Sequence, residues 1–174
     1  MSTNSALVVL LPVYNNQRGL EHTLLNLDGQ PERFDVLVVD DGSVPPMSIP
    51  VGLSPAHLVR LKRLASNLGI ARALNEGLAL LDATQYRYVA RIDAGDEAVN
   101  GRFSKQVAFL DANPRCAAVS SFIDFFDPSG ETAFRFEVPT VHRDILRGMY
   151  WKNCLVHAGT TLRLDSVKAN GVFT

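Results

Sequence analysis

The sequence predicts an α/β fold of three layers, with helices on both faces of a mainly parallel central sheet. Two runs of strand length, 6–13 and 34–40, are apolar at nearly every position, as expected of parallel strands covered on both faces. Segments with helical spacing of leucines alternate with the strands, which favours parallel pairing. Polar residues follow the strands, and open α/β sheets bind ligands outside the carboxyl ends of their strands.

The composition is that of a globular protein with a core of its own. Of 174 residues, 47% are hydrophobic and 20% are charged, and the formal net charge of -1 gives no general attraction to nucleic acid. Two cysteines predict reduced thiols and not a disulfide framework. The N-terminal apolar run is too short to span a bilayer, so no transmembrane segment is predicted in this chain. We expect a cytoplasmic protein that can work at the inner face of the membrane.

The first unit of the chain is predicted to be a strand, a helix and a second strand. Pro12 lies near the end of the first strand, where its missing N–H is tolerated. The helix is predicted from the spacing of Leu20, Leu24 and Leu27, and it ends at Gly29. After the second strand, the segment 44–55 carries four prolines and is predicted to be a loop.

A second strand–helix–strand unit follows. A short strand at 57–64 is predicted to offer three leucines to the core, Leu58, Leu61 and Leu64. The next helix is predicted to place four aliphatic residues on one buried face, Ile70, Leu74, Leu78 and Leu81. The strand at 85–92 then ends at Asp93, and Asp96 follows within the same turn.

The rest of the chain is predicted to mix short helices and strands. Phe103, Val107 and Leu110 indicate a helix that Asn113 closes. The elements predicted after it are a strand at 116–126, a turn at 127–130, a returning strand at 132–138, a helix at 141–150, a loop at 153–159 and a last strand at 160–164. The first two of these strands would form a hairpin.

The polar residues at the strand ends suggest a ligand site. They are Tyr14, Asp40, Asp41, Asn67, Arg91, Asp93 and Asp96. Such a set can hydrogen-bond a base and a ribose, while a divalent cation neutralises a diphosphate. Ordinary turn chemistry at 40–43 and a helix cap at Asn67 are the alternatives. The sequence contains neither a dinucleotide fingerprint nor a phosphate loop after its first strand, which argues against NAD enzymes and P-loop NTPases.

Four motifs, taken in order, resemble those of the family-2 glycosyltransferases of the GT-A fold. They are LPVYN (11–15), VVDDGS (38–43), NLGIARALNEG (67–77) and RIDAGD (91–96). The stretches 102–110 and 153–163 are also similar to that family, so the resemblance runs from about residue 7 to residue 163. It implies an inverting transferase that moves a sugar from a nucleotide-diphosphate sugar to an acceptor hydroxyl, in polysaccharide or glycoconjugate synthesis.

The resemblance also implies roles for individual residues. The donor would be bound by residues of the strand-end loops, namely Pro12, Val13, Tyr14, Asn15, Asp40, Asp41, Asn67, Gly69, Arg72, Arg91 and Asp93. A divalent cation, Mg or Mn, would be held by Asp93, Asp96 and His157. The family pattern Asp-x-Asp is interrupted, because Gly95 stands where the second acid is expected and Asp96 follows it.

The catalytic base and the partners are less well defined. In the family an acidic base follows a segment like 171–174, so we expect the base beyond Thr174 and interpret residues 1–174 as one GT-A domain truncated before its acceptor segment. A saccharide or lipid-linked acceptor and a homodimer are expected. A nucleotide-sugar binding module without transfer activity is the alternative. A nucleotidyltransferase fits less well, because it would need a glycine-rich loop and a lysine after the first strand.

Overall fold

The structure, a computed structural model, describes residues 6–127 and 129–170. Its elements follow the predicted alternation of strands and helices. In chain order they are β1 (Leu7–Val13), α1 (Gln17–Asp28), β2 (Asp35–Asp40), β3 (Val59–Arg63), α2 (Ile70–Ala79), β4 (Tyr88–Arg91), α3 (Arg102–Ala112), β5 (Ala118–Val119), β6 (Ile123–Phe126), β7 (Thr132–Phe136), α4 (His142–Gly148), β8 (Thr161–Arg163) and α5 (Leu164–Asn170). A short 3-10 helix, His157–Gly159, precedes β8.

Six strands form the main sheet, in the order β3-β2-β1-β4-β8-β5. The first four of these run parallel to one another, whereas β8 is antiparallel to β4 and β5 is antiparallel to β8. The parallel strands therefore bring their carboxyl ends to one edge of the sheet. The mainly parallel sheet predicted from the sequence is confirmed.

The two faces of the sheet are covered by different helices. On β1, Leu7, Val9 and Leu11 belong to one hydrophobic cluster with residues of α1 and α3. Val8 and Leu10 belong to a second cluster, with residues of α2 and α5. Each fully buried leucine contributes about 2 kcal/mol by removing its apolar surface from water. The three-layer arrangement is thus confirmed, and β1 lies at its centre.

Pro12 is accommodated in β1 because β4 no longer pairs beside it. β1 pairs with β2 as far as Val13 opposite Asp40, but its pairing with β4 stops at Leu10 opposite Arg91. On the β4 side, the ladder therefore needs no N–H from position 12. The end of β1 is left with a single paired neighbour at the edge of the sheet that carries the polar loops.

Three aliphatic residues predicted to be buried are exposed, so that part of the prediction is wrong. Leu58, just before β3, is 55% exposed and Leu61 is 39% exposed, because β3 is an edge strand that pairs with β2 alone among the described residues. Ile70 is 58% exposed because it opens α2 at the carboxyl edge of the sheet, before the helix reaches the face that it covers. The other members of the two predicted sets are buried, namely Leu64, Leu74, Leu78 and Leu81.

The strand predicted at 116–126 is divided between two sheets. β5 belongs to the main sheet, whereas β6 pairs with β7 in a separate hairpin. Between them, the Ser120 hydroxyl accepts a hydrogen bond from the Val156 N–H at 3.0 Å and donates to the Val156 carbonyl at 3.1 Å. The Ser121 hydroxyl accepts from the Gln106 amide at 2.7 Å. Because both serines bond to neighbouring segments, the ladder is interrupted here.

The other predicted elements of this region are confirmed. The hairpin is formed, with the rings of Phe125 and Phe134 stacked at a centroid distance of 4.4 Å, and the Gly130 N–H donates to the Asp127 carbonyl at 3.0 Å in its turn. The helix and the last strand correspond to α4 and β8. The predicted turn proline, Pro128, and the segment 171–174 lie outside the described residues. Within the described part of the chain, no helix is long and apolar enough to cross a membrane.

Candidate functional site

A cleft of about 400 Å³ lies at the carboxyl ends of β1, β2 and β4. The predicted donor-binding residues that line it are Pro12, Val13, Tyr14, Asp41, Asn67, Gly69 and Asp93. The lining residues that were not predicted are Asn16, Ile70, Ala73 and Ala94. Loops that are far apart in the sequence therefore converge on one cavity, as the parallel topology requires.

Two exposed side chains give the cleft apolar surface. Tyr14 follows β1 and is half exposed, and Ile70 is the first residue of α2. Gly69 caps α2 with a φ of 86°, a conformation that favours glycine. Ala73, one turn further along α2, is small enough to leave the space open. An aromatic ring and an aliphatic side chain are surfaces on which a flat heterocycle can pack.

Asp41 fixes one wall of the cleft. Its two carboxylate oxygens accept hydrogen bonds from the N–H groups of Leu68 at 2.8 Å and Gly69 at 2.9 Å. Gly42 makes this approach possible, because a Cβ at that position would lie 2.3 Å from the carbonyl carbon of Ser66. Asp41 therefore anchors the loop before α2 as well as facing the cavity.

Asp40, in contrast, is fully buried behind the cleft. Its carboxylate accepts hydrogen bonds from the N–H groups of Ser43 at 2.9 Å and Met47 at 3.2 Å, and it forms an ion pair with Arg63 at 2.9 Å. Burial raises the pKa of Asp40, but hydrogen bonds from Ser43 and Met47 and the charge of Arg63 outweigh burial and hold the pKa below its ordinary value. In this structure Asp40 shapes the loop at 40–47, and its contact with a donor stays a prediction.

Two other predicted donor-binding residues lie outside the cleft lining. The Asn15 N–H donates to the Ser43 hydroxyl at 2.9 Å, and its side-chain oxygen accepts from the Val44 N–H at 2.8 Å. These two bonds join the loop after β1 to the loop after β2. The backbone φ of Asn15 is 50°, in the left-handed region that asparagine tolerates. Arg72 is exposed on α2. Direct donor contacts of both residues remain predictions.

Behind the cleft, two buried arginines support the loop that follows β4. Arg91, almost fully buried, donates through Nη2 to the Asp93 carboxylate at 2.6 Å. Arg102 donates to the Arg91 carbonyl at 2.6 Å. Burial lowers the pKa of Arg91, opposed by the charges of Asp93 and Asp96. Burial also lowers the pKa of Arg102 to about 10, opposed by Asp96. Arg91 therefore orients Asp93 from beneath, without lining the cavity itself.

Asp96 is exposed at the tip of the same loop. Partial desolvation and then the charge of Asp93 raise the pKa of Asp96 above its ordinary value, while Arg102 and Arg91 oppose that shift. Gly95 between them has a φ of 111°, and a side chain added there would enter open space. Backbone conformation, and not lack of room, therefore favours glycine where the family pattern has an acid.

The residues predicted to hold a cation can be located in the structure. Among residues 6–127 and 129–170, no three His, Cys, Asp or Glu side chains come together to hold a metal ion, so Asp93, Asp96 and the exposed His157 do not meet as a metal centre in this structure. Asp93 and Asp96 alone still fit a hard divalent cation. They are two oxygen donors, and the charge of Asp93 adds to desolvation in raising the pKa of Asp96, so a cation would relieve the repulsion between them.

Two of the lining residues missed from the sequence carried a local signal. Asn16 precedes the apolar periodicity of α1 directly, as an N-cap does, and its side-chain oxygen accepts from the Gly19 N–H at 2.9 Å. Its amide group also donates to the Ala94 carbonyl at 3.2 Å, which joins α1 to the loop after β4. Ile70 stands at a strand-to-helix junction, the place where such folds bind ligands.

Comparisons with known proteins support the same fold and family. The Glycosyl transferase family 2 pattern matches residues 8–168. The chain is 29% identical over 170 residues to the amylovoran biosynthesis glycosyltransferase AmsE of Erwinia amylovora, covering 95% of this chain and 62% of that protein. It is 32% identical over 145 residues to an uncharacterized glycosyltransferase of Haemophilus influenzae, covering 80% of this chain and 53% of that protein.

Solved structures with the same fold include a mannosyltransferase and TarS of S. aureus. The mannosyltransferase PcManGT of Pyrobaculum calidifontis, solved with GDP-Man and Mn2+, superposes with a TM-score of 0.66 at 19% identity, covering 99% of this chain and 48% of that one. S. aureus TarS 1-349 with UDP-GlcNAc superposes with a TM-score of 0.65 at 18% identity, covering 95% of this chain and 47% of that one. The chain thus spans about half to three fifths of the length of these relatives. By its sequence pattern, and with a GT-A fold, this chain belongs to glycosyl transferase family 2.

Proposed function

We propose that this chain forms the donor-binding part of an inverting glycosyltransferase, which transfers a sugar from a nucleotide-diphosphate sugar to an acceptor hydroxyl. The observation that carries the proposal is the cleft at the carboxyl ends of β1, β2 and β4, with Tyr14 and Ile70 on its apolar surface and Asp93 in its lining. The name of the amylovoran relative supports a role in polysaccharide or glycoconjugate synthesis.

The donor would extend across the cleft. Its base and ribose would contact residues 12–14 and the loop 67–69, which Asp41 holds in place. Its diphosphate would lie toward Asp93, whose carboxylate Arg91 orients. Asp93 and Asp96 would hold Mg or Mn, and a contact of His157 with that cation stays a prediction. When bound, such a cation would stabilise the negative charge that develops on the leaving nucleotide diphosphate.

The acceptor side of the reaction is proposed to lie outside this sequence. Direct displacement at the anomeric carbon needs a base that deprotonates the acceptor hydroxyl. Because the chain spans 62% of the amylovoran relative, that base and a site for a saccharide or lipid-linked acceptor would belong to the part of such relatives that the chain does not span. A longer reading frame with no acidic residue after Thr174 would contradict this location of the base. We also propose that the reaction takes place in the cytoplasm, with access to the inner face of the membrane.

A second copy of the chain is a proposed partner. After α4, Tyr150 is 88% exposed and Trp151 is 91% exposed, and aromatic side chains this exposed are enriched in protein interfaces. We expect light scattering to detect a homodimer of the purified chain that Trp151→Ser weakens. A monomer at all concentrations would contradict the proposal.

Thermal unfolding with UDP, GDP, CDP and dTDP, each with and without Mn2+, tests the donor site. A ligand present at about 100 times its Kd stabilises the folded state by about 2.7 kcal/mol. For a domain of this size the Tm should then rise by roughly 5–10 °C. We expect a metal-dependent shift with one of the nucleotides. Failure of all four to shift the Tm would refute both the transferase and the binding-module functions.

The binding module without transfer activity remains the second candidate function. It is favoured by the same cleft, which needs none of the acceptor machinery to bind a nucleotide sugar. The two functions differ in the full-length protein. Release of free nucleotide diphosphate from the bound donor, on addition of acceptor, is expected only of the transferase.

A further inference from the structure

Helix α1 carries a row of polar side chains toward the loop 93–98. Asn16, Thr23 and Asn26 lie seven and three residues apart, which places them along one side of the helix. Thr23 is fully buried, and its neighbours on the same helix, Leu24 and Leu27, pack in the core. A buried hydroxyl in this position requires hydrogen-bond partners, because leaving it unpaired costs about 1–3 kcal/mol.

The partners of this polar row are backbone groups of the acidic loop. The Thr23 hydroxyl donates to the Asp96 carbonyl at 2.8 Å and accepts from the Gly95 N–H at 2.9 Å. The Asn26 side-chain oxygen accepts from the Ala98 N–H at 2.8 Å. Just past the helix, the Gln30 amide donates to the Ala98 carbonyl at 2.9 Å, and at the other end Asn16 reaches Ala94.

Thr23 makes its two bonds at the point where the loop turns. Gly95 has a φ of 111°, and the Asp96 N–H closes the turn on the Asp93 carbonyl at 3.1 Å. The directions of the Asp93 and Asp96 carboxylates depend on this backbone. Without the Thr23 hydroxyl, the Gly95 N–H and the Asp96 carbonyl would lose their partner on α1, and other conformations of the glycine would become comparable in energy.

We propose that Thr23 is a positioning residue for the donor site, which fixes the loop so that Asp93 and Asp96 face the same cation and diphosphate. The effect of Thr23 on donor binding rests on the proposed function, whereas the contact between Thr23 and the loop does not depend on it. Thr23 acts through the backbone of the loop and lies outside the cleft lining. Its loss should therefore reduce metal-dependent affinity more than metal-independent affinity.

Hydrogen exchange of the whole chain tests the contact without any ligand. In Thr23→Val, which replaces the hydroxyl by a methyl group of similar size, the amides of 94–98 should exchange about tenfold faster. Thr23→Ser, which keeps the hydroxyl, should exchange as the wild type does. Tyr86→Phe is the matched control, because it also removes a buried hydroxyl, one that donates to Asp35 at 2.5 Å at the opposite end of β2. Unchanged protection of the loop in Thr23→Val would overturn the proposal.

Nucleotide titrations of the same variants test the consequence. With the nucleotide that the wild type binds, Thr23→Val should raise the Kd in Mn2+ about tenfold and the Kd without metal by less than about twofold. Parallel losses with and without metal, or an equal loss in Tyr86→Phe, would reduce Thr23 to a general stabilising residue and overturn the positioning role. A wild type that binds no nucleotide refutes the proposed function, whereas the exchange experiment still decides whether Thr23 holds the loop.

Discussion

Two turns of the main sheet each carry a pair of aspartates, one at the end of β2 and the other after β4. The two pairs differ in burial, in hydrogen bonding and in the direction of their pKa shifts. After β2, Asp40 and Asp41 are buried and accept hydrogen bonds from backbone N–H groups. After β4, Asp93 is half-buried beside an arginine and Asp96 is exposed. The pKa of Asp40 lies below its ordinary value, because hydrogen bonds and Arg63 outweigh burial, whereas desolvation and the charge of Asp93 raise the pKa of Asp96.

This difference suggests different roles for the two turns, one in supporting the loops of the cleft and the other in binding a cation. A carboxylate whose oxygens are already satisfied by the protein holds loops together and has little to offer a cation. Carboxylates that repel each other gain from one. The first turn therefore builds the walls of the cleft, and the second is where a metal and a diphosphate would be bound. Substitutions in the two turns should consequently affect different measurements.

The largest effect is expected from Asp40→Asn, and on folding stability. The amide would place a donor group against the buried Met47 N–H, and would remove the charge that pairs with Arg63. We expect a loss of about 3 kcal/mol, because buried hydrogen-bond donors would be left without acceptors, or a fall of roughly 6–12 °C in Tm by calorimetry. Asp124→Asn, which breaks the exposed pair with Arg135, is the control and should cost less than about 1 kcal/mol. Equal effects of the two substitutions would contradict the supporting role of Asp40.

The next effect is expected from Asp93→Asn, and on binding. The amide oxygen can still accept from the buried Arg91, whereas Asp93→Ala would remove that hydrogen bond as well as the charge. Nucleotide affinity in Mn2+ should fall about 30-fold, equivalent to about 2 kcal/mol, and the Tm should also fall, because the buried Arg91 loses the charge that it pairs with. Titration calorimetry with and without metal measures both. An unchanged Kd in Mn2+ would remove Asp93 from the site.

The smallest effect concerns pH, and it should have opposite signs in the two turns. Because the folded pKa of Asp40 is below its model-peptide value of 3.8, its contribution to stability is present above pH 3.8 and is lost as the pH falls through the folded pKa. Because the folded pKa of Asp96 is raised, its ionised form disfavours folding above that pKa, and the penalty disappears as the pH falls through it.

Melting curves of the wild type and two variants between pH 7 and pH 3 would detect this contrast. The stability advantage of the wild type over Asp40→Asn should shrink below about pH 4. Asp96→Asn should be at least as stable as the wild type at neutral pH, and the two should converge in acid. An Asp96→Asn variant that is less stable at neutral pH would show that Asp96 also has a supporting role.

The sequence alone predicted the layers and most of the cleft, because these follow from strong local patterns. The apolar run at 6–13 has no alternation, so a central strand was the natural interpretation, and β1 is that strand. Parallel topology then requires the strand-end loops to meet. The division of 116–126 into β5 and β6 was not predictable, because Ser120 and Ser121 bond to partners distant in the chain.

The errors at single residues have the same origin. Helical spacing groups Ile70 with Leu74, but it does not reveal that the first turn of α2 lies at the end of the sheet and not over its face. Similarly, adjacent aspartates such as Asp40 and Asp41 are equivalent in a motif, and only the fold directs one toward Arg63 and the other toward the loop 67–69. Nothing in the sequence around Thr23 indicates that this residue contacts the loop 93–98.

The anchoring of the loop 67–69 by Asp41 has a consequence for the direction in which a donor binds. The start of a helix is normally an attractive place for a phosphate, because its N–H groups and dipole favour negative charge. Just before α2, the Asp41 carboxylate already accepts hydrogen bonds from the N–H groups of Leu68 and Gly69, and it brings a negative charge to the start of the helix. A diphosphate would be repelled there and drawn to the opposite end, where a cation can bind. The cleft therefore has a polarity, and in the proposed function a nucleotide sugar would lie with its uncharged base toward α2 and its phosphates toward β4.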